Sequence, residues 1–361
     1  MSIIYFILVL FVIVLVHEWG HYKMAKFFNI RVDEFGFGYP PKIKSLFKRG
    51  ETEFTLNALP FGGFVKIYGE DSSGESDSNE ERALFKKPRW AQTLVLSAGV
   101  FMNIILALVL FLILFLTNSS VTSPFVDKKY VKESNLIITE IVENSVASKS
   151  FLQKGDIIKE AKTSSFLLDT SKPESLYSFL QLSSGEEIEF KINRNGEEKN
   201  IKVTPEFKDN SYKLGVGLNV VGKIQIPWYK SIGYSVKTTF NILGEIFTGL
   251  FELVKSLFTS EKANVEVSGP IGIVKTIGNA SKYGIDYVLY LTAIISLNLA
   301  VINILPIPAL DGGRIMFLII EKIKGKPINI KTATIIHSTA FFLLIGLMVL
   351  VTFLDLFKLI K

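Results

Sequence analysis

Apolar residues in this 361-residue chain are gathered into blocks rather than spread along amphipathic faces. A helix needs roughly 20 apolar residues, each adding about 1.5 Å, to cross the hydrocarbon core of a bilayer. Four blocks reach that length, at about 3–27, 91–117, 284–306 and 332–357, and each predicts a membrane-spanning helix. Elsewhere the period changes. "TEFTLNALPFGGFVKIYG" (52–69) alternates apolar and polar residues, which predicts a strand or hairpin. Residues 135–161 and 185–206 carry alternating strand patterns, a short helix and an Arg194-Asn195-Gly196 hairpin turn, so a small α+β domain is expected there. From Trp228 to Phe258, aromatics on one side and scattered Lys and Glu on the other predict a long helix suited to a membrane surface. Residues 70–82, "EDSSGESDSNEER", cannot bury a core and predict a disordered loop.

The fold class that follows is a polytopic α-helical membrane protein with about four transmembrane helices and one extramembrane α+β domain. Its segments are a first span (1–28), a β-segment with the acidic loop (29–90), a second span (91–117), the α+β domain (118–222), the amphipathic helix with a linker (223–283), a third span (284–325) and a fourth (326–361). A mean hydropathy of +0.36 agrees with that class. The first block is read as a retained span, since it lacks a basic leader and a small-residue cleavage site.

Charge refines the picture. The net charge of +6 raises the question of a nucleic-acid partner, yet Lys and Arg cluster beside the apolar blocks, where membrane topology accounts for them, and no nucleic acid is expected. Lys23, Lys26, Arg31, Lys42, Lys44, Lys48, Arg49, Lys86, Lys87 and Arg89 lie around the connection between the first two spans. Lys322, Lys324, Lys326 and Lys331 lie between the last two. The positive-inside rule makes both connections cytoplasmic, with 118–283 and both termini extracytoplasmic. The chain has no cysteine, so a metal would have to be held by His, Asp or Glu.

Such residues stand where lipid should make them costly. His17, Glu18 and His21 spell H-E-x-x-H on the first predicted helix. The i, i+4 spacing stacks both imidazoles on one face, where they can share one Zn²⁺ while the glutamate handles a water proton. Ionisable groups at membrane depth argue for a task. A protease-type zinc needs a third protein ligand and an open position, and Asp311 in "NLAVINILPIPALDGGRI" (298–315) is the candidate, after a span broken by Pro306 and Pro308. Its plain alternative is a helix cap. The third histidine, His337, is expected to face the bundle or the interface rather than a metal. On these residues alone a zinc endopeptidase, a silent membrane scaffold and a metal transporter remain open, although no internal repeat favours transport.

Taken together, "HEWGH" and "NILPIPALDGG" closely resemble the site-2 protease family of intramembrane metalloproteases, and its bacterial branch of the RseP and RasP type in particular. The likeness extends to "GFGYPPKIKS", "TEFTLNALPFGGFVKIYGED", "AGVFMNIILA" and "SGPIGIV", nearly end to end, with Val100 where many members carry proline. "SVASKSFLQKGDIIKEA" resembles the stretch of PDZ domains in which a short helix leads through Lys-Gly-Asp into a strand, and a PDZ domain takes an extended peptide as an added strand.

The resemblance implies one Zn²⁺ per chain held by His17, His21 and Asp311, with Glu18 as catalytic acid/base and Asn298 and Asn303 facing the substrate. Asn303 is the first choice for hydrogen-bonding a developing oxyanion. It implies a membrane re-entrant β-segment, in which Gly62, Gly63 and Phe64 are the candidates for clamping an unwound substrate by its backbone. The expected partners are the lipid bilayer, a peptide ligand of the PDZ-like domain, and single-pass transmembrane substrates such as anti-sigma factors or remnant signal peptides. The expected location is the bacterial cytoplasmic (inner) membrane.

Overall fold

The computed structural model describes residues 2–70, 81–119, 126–142, 145–168, 170, 173–194, 197–208, 210–256, 258–259, 269–281, 284–326 and 328–360. Most of the acidic loop, and Asn195 and Gly196 of the expected turn, therefore lie outside the described residues. The chain divides into two compact units. One comprises Met1–Phe111, Thr239–Ser281 and Leu291–Lys361, and the other Leu112–Thr238 and Lys282–Tyr290.

The first unit begins with α1 (Ser2–Phe27), which carries the H-E-x-x-H sequence in its last three turns. The helix stops where Asn29 takes a left-handed conformation (φ 53°) and the Ile30 N–H returns to the Ala25 carbonyl, 2.8 Å away. Next come β1 (Val32–Arg49) and β2 (Thr52–Ile67), two long strands that pair with repeated shifts of register. Both bend, so that residues 34–37 of β1 meet two stretches of β2, 53–56 and 63–66, while 42–49 run beside 52–57. Tyr22, Phe35 and Phe54 fix this sheet on α1, their rings 5.4–5.8 Å apart. Such aromatic pairs add about 0.5–1.5 kcal/mol each beyond simple burial.

The second span is α2 (Arg89–Leu116). It approaches α1 so closely at Gly20 that a Cβ there would lie 2.5 Å from the Ala98 carbonyl oxygen.

The second unit builds its core on a five-stranded sheet. Its elements are β3 (Val131–Ile141), the short α3 (Val146–Lys149), β4 (Ile157–Lys162), α4 (Pro173–Leu182), β5 (Ile188–Arg194), β6 (Glu197–Val203), the small pair β7 (Glu206–Lys208) and β8 (Ser211–Lys213), and β9 (Val216–Ile224). The sheet order is β6-β5-β4-β3-β9, all antiparallel. Leu136, Ile138, Ile158, Ile188, Phe190 and Ile192 point to one buried side with Leu176, Phe179 and Leu180 of α4. Apolar residues alternate with exposed ones along these strands, as a sheet packed on one face requires.

After α5 (Trp228–Ser256) the stretch read from sequence as a linker contains a further helix, α6 (Pro270–Ala280), whose proline suits a first helical turn. No side chain of its own caps it. Instead the buried Asp355 accepts the Gly272 N–H at 2.9 Å from α9 (Ile330–Ile360). The third apolar block is α7 (Ile285–Ile304), and the rest of the 284–325 segment holds a second helix, α8 (Asp311–Lys324), parted from it by Pro306 and Pro308. Among the described residues, four helices are long and apolar enough to cross a membrane, at Ser2–Phe27, Arg89–Leu116, Ile285–Ile304 and Lys331–Phe357. The protein is a multi-pass membrane protein.

Candidate metal centre and active site

Three side chains from two elements converge on one point. α1 brings His17 and His21 onto one face, with ring centroids 4.8 Å apart, and the first residue of α8 brings Asp311 against them. Asp311 Oδ2 lies 3.1 Å from His17 Nε2 and 3.4 Å from His21 Nε2, and the two imidazole nitrogens are 3.2 Å apart. One ligand atom from each residue falls within 4.8 Å of the others. The histidines are buried, and Asp311 is largely so.

Hydrogen-bond accounting indicates what the cluster suits. His21 Nδ1 donates to the Val95 carbonyl (2.9 Å), which leaves Nε2 with its lone pair facing inward. Asp311 Oδ2 is buried without a hydrogen-bond partner. Lone pairs meeting in a buried space repel unless a cation sits among them, so the donor set fits a divalent ion with nitrogen and oxygen ligands. Two imidazoles and one carboxylate are a catalytic zinc set, which keeps a position open.

The local sequence explains how the donors come so close. In "LDGG", a Cβ on Gly312 would strike the carbonyl oxygens of Ile304 and Leu305, and one on Gly313 would stand 2.7 Å from the Ile307 carbonyl carbon and Pro308 Cα. Only glycine lets the first turn of α8 lie on the proline-broken loop. On α2, Val95, Gly99 and Asn103 form an i, i+4, i+8 stripe behind the imidazoles. A Cβ on Gly99 would come within 2.6 Å of His17 Cε1 and run into His21 Nε2. Asn103 is fully buried, with its amide nitrogen 3.4 Å from His17 Nδ1 and its Oδ1 without a partner. Turning the amide over would let Oδ1 accept a His17 Nδ1 proton; amide nitrogen and oxygen are interchangeable assignments of this kind. Sequence reasoning quoted Gly99 and Asn103 within "AGVFMNIILA" but gave neither a role at the site.

The other expected site residues divide. The side-chain amide of Asn303 on α7 lies 3.5 Å from His17 Nε2. Asn298 donates to the Ile294 carbonyl of its own helix (3.0 Å) and sits about 140° round α7 from Asn303. Glu18 is next to the sheet: the Val65 backbone hydrogen-bonds it, and a Cβ on Gly63 would be 3.9 Å from its Cγ. Gly62 has φ +126° and packs on Val14, and Phe64 stacks on Tyr39. Phe64 to Tyr68, Glu18, His21 and Asp311 all line one cavity of ≈ 770 Å³, whose walls include Arg31, Asp33, Lys66, Glu70 and Arg314. A mostly polar cavity reaching buried donors is a path for water.

A profile of peptidase family M50 matches residues 5–347. The chain is 35% identical over 360 residues to a protein named as a zinc metalloprotease in Clostridium perfringens, covering 98% of each chain. It is 33% identical to one so named in Fusobacterium nucleatum, covering 99% of each. It is 30% identical to the zinc metalloprotease RasP of Geobacillus kaustophilus, covering 99% of this chain and 98% of the relative. These matches favour the enzyme over the scaffold and the transporter. A zinc-type donor set at the meeting of α1 and α8, and a family match along nearly all of the sequence, lead to one conclusion: the chain belongs to peptidase family M50, the site-2 protease family of zinc metalloproteases.

Proposed function

We propose that the protein is an intramembrane zinc endopeptidase that cleaves transmembrane segments of single-pass membrane proteins, with His17, His21 and Asp311 as the zinc ligands and Glu18 as the acid/base. The observation that carries this reading is the convergence of ligand atoms from positions 17, 21 and 311 to within 4.8 Å. When bound there, zinc supplies Lewis-acid polarisation of the scissile carbonyl and a lowered water pKa. Glu18 takes a proton from the attacking water and returns it to the leaving amine, a contribution of about 10²–10⁴-fold in rate. Asn303 offers its amide N–H to the oxygen on which negative charge develops.

A helical substrate hides its carbonyls in its own hydrogen bonds and must be extended before it can react. The 63–67 stretch of β2 pairs with β1 on one edge and borders the cavity that holds Glu18. It is the substrate clamp in this proposal, taking an unwound peptide as an added strand. The outer α+β unit, in which α3 leads through Lys154-Gly155-Asp156 into β4, is read as PDZ-like, a binder of exported chain ends. The protein would lie in the bacterial cytoplasmic membrane with both termini outside. Anti-sigma factors and remnant signal peptides are the substrate classes.

The experiment uses purified protein and a model transmembrane substrate. Glu18→Gln should retain zinc at the wild-type amount and lose cleavage. Undiminished cutting by Glu18→Gln would remove the acid/base assignment.

A further inference from the structure

We propose that His337 is a positioning residue that sets the location of the Asp311 carboxylate by holding the backbone two residues before it; this rests on the reading of Asp311 as a zinc ligand. The loop from Ile304 to Asp311 contains two prolines, so few of its residues have an N–H to offer. The Ile307 N–H goes to the Leu305 carbonyl at 2.7 Å, and that of Leu310 goes to the Ile307 carbonyl at 3.1 Å. The Ala309 N–H leaves the loop altogether and donates to Nδ1 of His337 on α9 at 2.9 Å.

Ala309 needs an external hold. Its φ of +83° is in the left-handed region, which alanine avoids because its Cβ crowds the following carbonyl. The other described non-glycine residues with positive φ are Asn29, Asn118, Ser184 and Asn210, whose polar side chains can hydrogen-bond locally to support that conformation. Ala309 has no such group.

The histidine is well placed to hold it. The His337 ring meets Phe317 of α8 edge-on, with centroids 5.0 Å apart. It therefore touches both the loop that precedes Asp311 and the helix that follows. The same ring borders a cavity of ≈ 620 Å³, and its Nδ1 is turned to the Ala309 N–H. Catalytic groups must be held to within about 0.5 Å, and that precision comes from such supporting contacts. Without the hold, Ala309 relaxes toward negative φ and the Asp311 carboxylate leaves the point where it lies 3.1 Å from His17 Nε2.

The test uses the full chain in detergent or nanodiscs. Zinc affinity is read by competition with a chromogenic chelator, and cleavage is measured on a transmembrane substrate. His337→Leu should weaken zinc binding by about 10- to 100-fold, the usual scale for losing a group that orients a ligand, with cleavage falling in step. His337→Asn, whose Oδ1 can take the same N–H, should return affinity to within about threefold of wild type. Ala309→Gly added to His337→Leu should recover part of the loss, because glycine accepts positive φ unaided. A merely space-filling role would predict no rescue by asparagine or by Ala309→Gly. Wild-type affinity in His337→Leu, an Asn variant as weak as the Leu variant, or a double variant no better than His337→Leu would each overturn the inference. Asp311→Ala serves as the control. If it keeps its zinc, the ligand assignment itself fails; if it loses zinc while His337→Leu does not, only the role of His337 fails.

Discussion

Two aspartates with buried carboxylate oxygens, one in each unit, show how differently the same side chain can be used. Asp156, beside the Lys154-Gly155 turn, is fully enclosed and fully satisfied. Arg194 Nε and Nη2 each donate to it at 2.7 Å, and the Gln153 N–H donates at 2.8 Å. The pair also holds the Arg194 guanidinium above its ordinary pKa, through the hydrogen bonds from Asp156. Asp311 is more open, with a fifth of its side chain exposed, yet its Oδ2 is buried with no hydrogen-bond partner and faces two imidazole nitrogens. A paired buried carboxylate holds structure, whereas an unpaired one beside other lone pairs awaits a cation.

The contrast breaks most sharply under alanine substitution. Asp311→Ala should lose zinc and reduce cleavage by about 10³-fold or more, the scale on which metal and oxyanion contributions to hydrolysis are measured. Its unfolding free energy in the presence of a chelator should be unchanged or higher, because a lone buried carboxylate is unfavourable. Denaturant unfolding with and without chelator reads the difference.

Asp156→Ala should do the reverse. Zinc content and the rate per folded molecule should stay near wild type, while the α+β unit loses about 3–5 kcal/mol, since Arg194 is left with an uncompensated charge. Pulse proteolysis of the full chain, scored for cuts within 131–224, measures that loss. A zinc deficit in this variant would dissolve the distinction between the two aspartates.

A smaller effect sharpens the picture of what surrounds the unpaired carboxylate. Gly99→Ala places a Cβ 2.6 Å from His17 Cε1, so the imidazoles must move. Zinc affinity should drop about 10- to 100-fold. Chelator competition checks this, with Ala98→Gly on the same helix as a comparison that leaves the imidazoles alone.

The smallest effect belongs to an exposed carboxylate. Glu51 receives two hydrogen bonds from Arg82 (2.5 and 2.6 Å) and one from Lys26 (2.6 Å), which lower its pKa from 4.5 to about 2. Its folded pKa is depressed, so its stabilisation is present above pH 4.5 and fades as pH falls toward 2. It is partly solvated, so Glu51→Gln should cost only about 0.2–1 kcal/mol at neutral pH and nothing measurable below pH 2. Chemical denaturation at both pH values measures the difference.

Much of the site could be read in the sequence because its chemistry is local. The i, i+4 histidines, the proline break and the Asp-Gly-Gly turn each lie within a few residues, and the four spans announce themselves by length. Contacts between distant positions leave no such period. Nothing in the sequence pairs Asp156 with Arg194, His337 with Ala309, or Asp355 with the start of α6. The folding of β1 and β2 back on each other was also hidden, because alternation predicts strands but not the bends that let residues 34–37 meet two stretches of β2. Gly99 was hidden for a different reason: a glycine in a span reads as small-residue packing until the rings behind it are seen.

X-ray absorption at the zinc edge, on purified wild type and on Asp311→Ala, tests the central claim most directly. The account predicts a first shell of two imidazole nitrogens with carboxylate and solvent oxygen in the wild type, and no stoichiometric zinc in the variant. Stoichiometric zinc with an unchanged first shell in Asp311→Ala would contradict it.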